Sequence, residues 1–306
     1  MEKGLVIRST GSWYTVYTEA GYQRLCRLRG KYRIKDIRTT NPIAVGDHVK
    51  ISMEEGKETG IIELIEDRRN FIIRKATNLS KAAHIVAANL DQALLVVTLQ
   101  NPRTSTGFMD RFLVTAEAYH LPVTLVFNKY DLLDEKAIGN QQKLIDCYEK
   151  IGYHCLEVSA VSGFGLDRLI QTLKDKVSLF SGHSGVGKSA LINAIDPALN
   201  LRIGEISEYH AKGKHTTTFA EMHPLVFGGW IVDTPGIKEF GLFDLEKETL
   251  AQRFPEMRER MLQCRFANCT HRHEPGCAVK EALKAGEIFE FRYNNYLNML
   301  LDNESK

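Results

Sequence analysis

Residues 177–194 read Val-Ser-Leu-Phe-Ser-Gly-His-Ser-Gly-Val-Gly-Lys-Ser-Ala-Leu-Ile-Asn-Ala: an apolar run, a glycine-rich turn and a helix-like run, in that order. Within it Gly182-His183-Ser184-Gly185-Val186-Gly187-Lys188-Ser189 fits the pattern GxxxxGK[ST], with Ala190 opening the helical part. Strand, loop and helix in this succession make a phosphate cradle. Glycines let the loop wrap so that backbone N–H groups face an anion, Lys188 adds positive charge, and the Ser189 hydroxyl can ligate magnesium. A glycine-rich turn without a ligand is the bland alternative, and the flanking strand and helix signals speak against it.

Outward from this point, apolar strand-like runs at 93–99, 123–127, 177–180 and 230–232 alternate with helix-like stretches at 108–120, 141–151, 166–176 and 189–194. Such alternation predicts a mostly parallel sheet with helices on both faces, an α/β domain over 68–241. Before it, residues 1–67 hold short β-rich segments (13–17, 45–51, 60–65) with turn residues at Gly11, Gly21, Gly30 and Gly46, which predicts a small barrel. After it, residues 242–306 are helix-rich and charged, interrupted by a Cys/His cluster. A chain of 306 residues, well above the ~150 of one domain, accommodates these three units.

A phosphate loop does not choose between ATP and GTP; a base reader does. Asn128-Lys129-Tyr130-Asp131 follows the apolar stretch 121–127, so a carboxylate falls at the carboxyl end of a strand, where open parallel sheets bind ligands. Asp131 can accept from N1–H and the 2-amino group of guanine, donors that adenine lacks at those positions. In isolation the four residues read as readily as a strand-ending turn; beside the phosphate loop they indicate guanine. Ser159-Ala160, after 156–158, can add backbone contacts to the base.

Asp233-Thr234-Pro235-Gly236 ends the run 230–232, so Asp233 can reach a magnesium shell through water and the Gly236 amide can approach a terminal phosphate. Between these motifs lies Gly213-Lys214-His215-Thr216-Thr217-Thr218, where a switch loop would supply a Thr hydroxyl to magnesium, Thr217 ahead of Thr216. A polar surface loop is the other reading of this stretch. Ile237 stands where many Ras-like enzymes carry a water-orienting Gln, which predicts slow unaided hydrolysis, and His215 is the candidate to position water, although a loop histidine also reads as a solvated residue.

The signatures resemble the translation-factor-like GTPases, but the base-reading residues at 128 and 159 precede the phosphate and switch motifs at 182, 216 and 233. The usual order is circularly permuted. The helix at 166–176 must then feed directly into the strand at 177, and the segment past Gly236 leads into the C-terminal zone, to which switch movement could pass.

In that zone Cys264, Cys269, His271 and Cys277 offer three thiolates and one imidazole, the closed set that tetrahedral structural zinc prefers. His273 also lies within reach of the fourth position. Chelation is expected to destabilise only this zone. The six cysteines suit metal binding in a reducing compartment better than a disulfide framework. Hydrophobic residues at 43% and charged residues at 25% exclude a chain-wide disordered, collagenous or membrane class, and residues 1–21 hold no signal-like apolar run, so a cytoplasmic protein without a membrane partner is expected.

Forty Lys and Arg against thirty-eight Asp and Glu leave +2, so nucleic-acid affinity must come from a local patch. Arg24, Arg27, Arg29, Lys31, Arg33, Lys35 and Arg38 face only Asp36, with Leu28, Tyr32 and Ile34 between the charges. Period-two alternation would turn the cations outward on the barrel, with tyrosines at 14, 17, 22 and 32 available for stacking on RNA. A solvated charged face is the other reading.

GHSGVGKSALIN, NKYDL, GKHTTT, DTPGIKEFGL and CRFANCTHRHEPGCAV, in this order-swapped arrangement, resemble the ribosome small subunit-dependent GTPase A family (RsgA, YjeQ or YloQ) over nearly the whole chain. The resemblance implies an OB-fold, a circularly permuted GTPase domain and a mostly helical zinc-binding domain. It further implies a bacterial factor, monomeric here by expectation, that binds the 30S subunit and its 16S rRNA in late maturation, with subunit-stimulated hydrolysis coupled to release. By the same resemblance guanine contacts map to Asn128, Lys129 and Asp131, phosphate contacts to Gly182 through Ala190, and zinc to Cys264, Cys269, His271 and Cys277. An RNA-docking protein whose conformation is merely set by guanine nucleotide, GDP or an alarmone included, is the alternative.

Overall fold

Buried and open residues alternate along the first five strands, as they must in a sheet curled round a small core. These are β1 (Glu2–Ser9), β2 (Tyr14–Thr18), β3 (Gln23–Leu28), β4 (His48–Met53) and β5 (Gly60–Ile65). They run in the order β1-β2-β3-β5-β4, and β4 pairs back on β1, which closes an OB-type barrel round Val6, Tyr14, Val16, Cys26, Ile43, Val49, Ile51 and Ile62. The computed structural model describes residues 1–29, 42–53, 56, 58–75, 83–201, 220–233 and 247–302, with the backbone alone at 73–75, 83, 84, 233 and 247.

A hairpin absent from the sequence expectations, β6 (Phe71–Lys75) with β7 (Ala83–Ala88), joins the barrel to the next domain. Ala88 N–H donates to Val45 at 2.8 Å. Gly46 makes that approach possible: its φ is +91°, and a β-carbon there would sit 2.0 Å from the Ala88 carbonyl oxygen. Beside it the fully buried Asp47 carboxylate is held by both ends of the Arg68 guanidinium at 2.6 Å.

β8 (Gln92–Val97) and β9 (Val123–Phe127) are buried at every position, the signature of parallel strands covered on both faces. With β10 (His154–Glu157), β11 (Val177–Ser181), β12 (Glu221–Pro224) and β13 (Trp230–Asp233) they lie in the order β10-β9-β8-β11-β13-β12, parallel except for β12. The chain steps outward from β8 to β10, then returns to place β11 beside β8. That reversal is a topological switch point, where the carboxyl ends of the strands open a ligand crevice.

Among the described residues, four helices cover this sheet. α1 (Thr106–Ala118) starts where the Ser105 hydroxyl accepts from Phe108 N–H, and α2 (Glu135–Ile151) starts on Asp134, which accepts from Ala137 N–H, and stops at Gly152 with φ +109°. α3 (Leu166–Leu173) feeds β11 directly, as the permuted order requires, and α4 (Lys188–Ile195) leaves from the glycine-rich turn. One core cluster (Leu95, Val97, Phe112, Leu125, Phe127, Tyr148) lies on one face and a second (Leu94, Val96, Val126, Leu169, Phe180, Leu191) on the other.

The antiparallel edge strand β12 does not end the sheet: Arg8 of β1 pairs with Glu221, backbone and side chain, so the barrel covers the edge. The C-terminal part is helical, α5 (Lys247–Leu250), α6 (Pro255–Met261), α7 (Ala278–Lys284) and α8 (Glu290–Asp302). It is not self-contained. Its core of Phe254, Met257, Val279, Tyr296, Met299 and Leu300 includes Val114 of α1, because a few short helices bury too little apolar surface alone. Among the described residues no helix is long and apolar enough to cross a membrane.

Candidate nucleotide site and metal cluster

The glycine-rich turn sits at the carboxyl end of β11, inside the switch-point crevice. Gly182, Gly185 and Gly187 all have positive φ, and Val186 between them is fully buried, anchoring the loop while Ser184 and Gly185 stay exposed. Lys188 Nζ donates to the carbonyls of Gly182 at 2.7 Å and His183 at 2.8 Å, so its charge lies across the turn. Ser189, 8% exposed, occupies the second position of α4, where the helix N-terminus favours anions. The His183 ring packs on Phe108 of α1 with centroids 3.7 Å apart; burial, then the Lys188 charge, lowers its pKa below the ordinary 6.5.

Asn128-Lys129-Tyr130-Asp131 comes to the same place from β9. Asn128 Nδ2 donates to the Val186 carbonyl at 2.8 Å, while its buried Oδ1 has no partner among the described residues. Lys129, with φ +65°, donates from Nζ to the Asn101 carbonyl in the loop after β8. The Asp131 carboxylate accepts from the Ser159 hydroxyl, which in turn accepts from the amides of Val161 and Ser162. A carboxylate oxygen has two lone pairs, so this leaves acceptor capacity for base donors. The two loops are further tied by Tyr130 N–H to the Val158 carbonyl at 3.2 Å and by stacking of Tyr130 on Phe164, centroids 4.5 Å apart. Ala160, in the second of these loops, is half-buried.

Asp233 ends β13, next to β11 on the side away from β8. Gly236, His215, Thr216 and Thr217 lie outside the described residues. In the basic run, Arg27 and the exposed Arg29 are on or just past β3, with Arg29 paired to Glu63 at 2.8 Å; Lys31, Arg33 and Lys35 lie outside the described residues. Leu25 points outward with Arg27, 48% exposed, while Cys26 faces the barrel core.

In the C-terminal part the structure gathers one cluster of metal-ligating side chains among the described residues: Cys264, Cys269, His271 and Cys277, every donor atom within 4.8 Å of the others. His271, not His273, turns inward. Its Nδ1 lies 3.7 Å from Cys264 Sγ and 3.3 Å from Cys277 Sγ, and the two sulfurs are 4.0 Å apart. Tetrahedral bonds of about 2.3 Å to sulfur and about 2.0 Å to nitrogen would give edges of roughly 3.5 to 3.8 Å, so the residues fit such a cation. Burial pushes the Cys269 thiol up to about 12, so cation binding must displace its proton. Glu274 ties the loop internally, accepting from the Thr270 amide and hydroxyl and from the amides of Arg272 and His273; burial opposes this, yet the bonds hold its carboxyl at about 2. The Tyr293 and Tyr296 hydroxyls of α8 donate to the carbonyls of His271 and Thr270 at 2.6 and 2.7 Å.

Sequence reading missed Phe108, Phe164 and the fully buried Arg292, which bonds Asp110 of α1 and Glu256 of α6 at 2.7 Å. No local signal marks Arg292, since a charged residue on an amphipathic helix reads as solvent-facing.

A GxxxxGK[ST] turn and an Asn-Lys-x-Asp segment from separated motifs in swapped order, meeting at one switch point with a barrel before and a metal-ligand cluster after, define a circularly permuted GTPase. The family model for RsgA GTPase matches residues 65–243, and that for the RsgA N-terminal domain matches residues 3–62. The chain is 56% identical to the small ribosomal subunit biogenesis GTPase RsgA of Phocaeicola vulgatus, over 99% of this chain and 97% of that one. It is 51% identical to the protein of that name in Flavobacterium psychrophilum, over 97% and 92%. Among solved structures it is similar to YjeQ from Thermotoga maritima (TM-score 0.82, 38% identity, 100% and 99% covered). It is also similar to YloQ, a circularly permuted GTPase (TM-score 0.77, 32% identity, 99% and 96% covered). The chain belongs to the RsgA GTPase family, and it is a GTP hydrolase.

Proposed function

We propose that this GTPase binds the 30S ribosomal subunit, assists its late maturation, and leaves after a hydrolysis step that the subunit stimulates. The observation that carries the enzymatic half is the Asn128 bond to the Val186 carbonyl, which joins base reader and phosphate loop at one crevice. The names of the relatives support the ribosomal half. In this reading Asn128, Lys129, Tyr130, Asp131, Ser159 and Ala160 surround guanine, and Gly182, His183, Ser184, Gly185, Val186, Gly187, Lys188, Ser189 and Ala190 surround the phosphates. Asp233 and Gly236 approach the terminal phosphate side, Ser189 and Thr217 ligate Mg2+, and His215 positions water. Cys264, Cys269, His271 and Cys277 hold one structural Zn2+, which would cross-link the loop and take no part in hydrolysis because four protein ligands leave no open position. Arg27, Arg29, Lys31, Arg33 and Lys35 contact 16S rRNA, and the protein works as a cytoplasmic monomer built of units 1–67, 68–241 and 242–306. GTP hydrolysis measured with and without purified small subunits tests the reading: strong stimulation is expected, lost in Lys188→Ala, and an unchanged rate would overturn it.

A further inference from the structure

α1 is held from two sides. On one, its first turn and the preceding loop wall the phosphate loop: Phe108 packs on His183, Asn101 accepts from Lys129, and Pro102 Cδ lies 3.4 Å from where a β-carbon on Gly185 would sit. On the other, the C-terminal helix α8 grips the same turn. Arg292 donates to Asp110 Oδ1 at 2.7 Å and Asn295 to Oδ2 at 2.6 Å, with Tyr148 of α2 adding a third donor at 2.7 Å. Asp110 and Arg292 are both fully buried. Among the described residues three donors and no acceptor face Asp110, surroundings that favour the carboxylate against the upward push of burial. The other edge of the guanidinium meets Glu256 at 2.7 and 3.1 Å, and its face covers Phe254 at 4.6 Å.

α8 is also the helix whose tyrosines hold the metal-ligand loop through the carbonyls of Thr270 and His271. A cation bound by the four ligands would fix that loop and so the acceptors on which α8 rests. A shift of α8 must then carry α1 with it or leave a buried charge unpaired, and the second course is disfavoured.

We propose that Arg292 is a positioning residue for the nucleotide site: through Asp110 it sets the α1 wall of the phosphate loop according to the state of the Cys264–Cys269–His271–Cys277 cluster, so that a cation there tightens guanine nucleotide. The proposal rests on the nucleotide assignment made above and adds a regulator to it. Coupling between two ligands is reciprocal, so nucleotide must tighten the cation by the same factor.

The test uses the full chain, a fluorescent GDP analogue and Zn2+. Chelation is expected to weaken GDP at least about fivefold, and GDP to raise Zn2+ affinity by a matching factor in chelator competition. Hydrogen exchange should quicken over 106–118 on chelation and stay unchanged over 92–97. The double substitution Asp110→Leu with Arg292→Met should bind GDP alike with and without Zn2+, at the affinity of chelated wild type. Phe108→Ala, milder and on the pocket side, should also flatten the response. Equal GDP affinity with and without Zn2+ in the wild type, faster exchange of 92–97 together with 106–118, or a full response in either variant would overturn the inference. If the Zn2+-loaded wild type bound no GDP at all, the nucleotide assignment itself would fall.

Discussion

At Gly187 a φ of +93° and a distance of only 2.4 Å from a would-be β-carbon to Asn128 Nδ2 leave room for hydrogen alone. The residue therefore does two things: it turns the glycine-rich loop and it lets Asn128 reach the Val186 carbonyl. Gly187→Ala should cost about 1–3 kcal/mol in strain and push Asn128 off Val186, so that GDP affinity by calorimetry falls roughly tenfold or more. Asp131→Asn exchanges an acceptor for a donor at the 2-position of the base and should move preference toward xanthine nucleotide; an unchanged preference for GTP in competition would remove Asp131 from the base site. His183 sits half-covered by Phe108 beside Lys188, so NMR should find its imidazole titrating below 6.5. By sign, a depressed histidine pKa means that its contribution to stability is present above pH 6.5 and lost as pH falls through the folded value.

Among elements, α1 carries the most conflicting demands. One flank lies on the sheet through Met109, Phe112 and Leu113, and the other lies in the C-terminal core through Val114 and Asp110. Removing Arg292 alone leaves Asp110 buried without its counter-charge, a loss of about 3–5 kcal/mol, whereas an apolar replacement of both partners should cost less. Urea unfolding of Arg292→Met against the double variant with Asp110→Leu would show this, and equal losses would mean that packing, not charge, holds the joint. The metal-ligand loop depends on a single carboxylate in the same way. Glu274→Ala deletes four hydrogen bonds and should weaken Zn2+ binding in chelator competition without moving guanine selectivity.

On the scale of the whole molecule, barrel and central sheet meet through a short β1–β12 pairing and the β6–β7 hairpin, and the Asp47–Arg68 pair braces the barrel segment that leads into that hairpin. These are unequal. The Arg8–Glu221 pair is largely exposed, so Arg8→Ala should change stability by no more than about 1 kcal/mol. Asp47 is wholly buried and Arg68 nearly so, and Asp47→Ala should cost several times more in the same denaturant assay. The C-terminal helices, by contrast, share their core with α1, which is why chelation is now expected to reach 106–118 rather than stay in the C-terminal zone alone.

The strands at 123–127 and 60–65, the phosphate-loop helix and the permuted order were legible in the sequence, because each rests on local facts: continuous apolar runs, glycines where φ must be positive, and motif spacing along one chain. Four-residue β12, with its Pro and His, and the hairpin at 71–88 were not, since short edge pairings draw their stability from a partner that periodicity does not reveal. The structure keeps His271, the ligand the sequence favoured over His273, whereas the use of Arg292 as a buried joint fell to packing between segments 182 residues apart. Local chemistry determined what this chain can bind; only the folded arrangement decided which helices share a core, because burial is a property of the assembled interior and not of any one stretch.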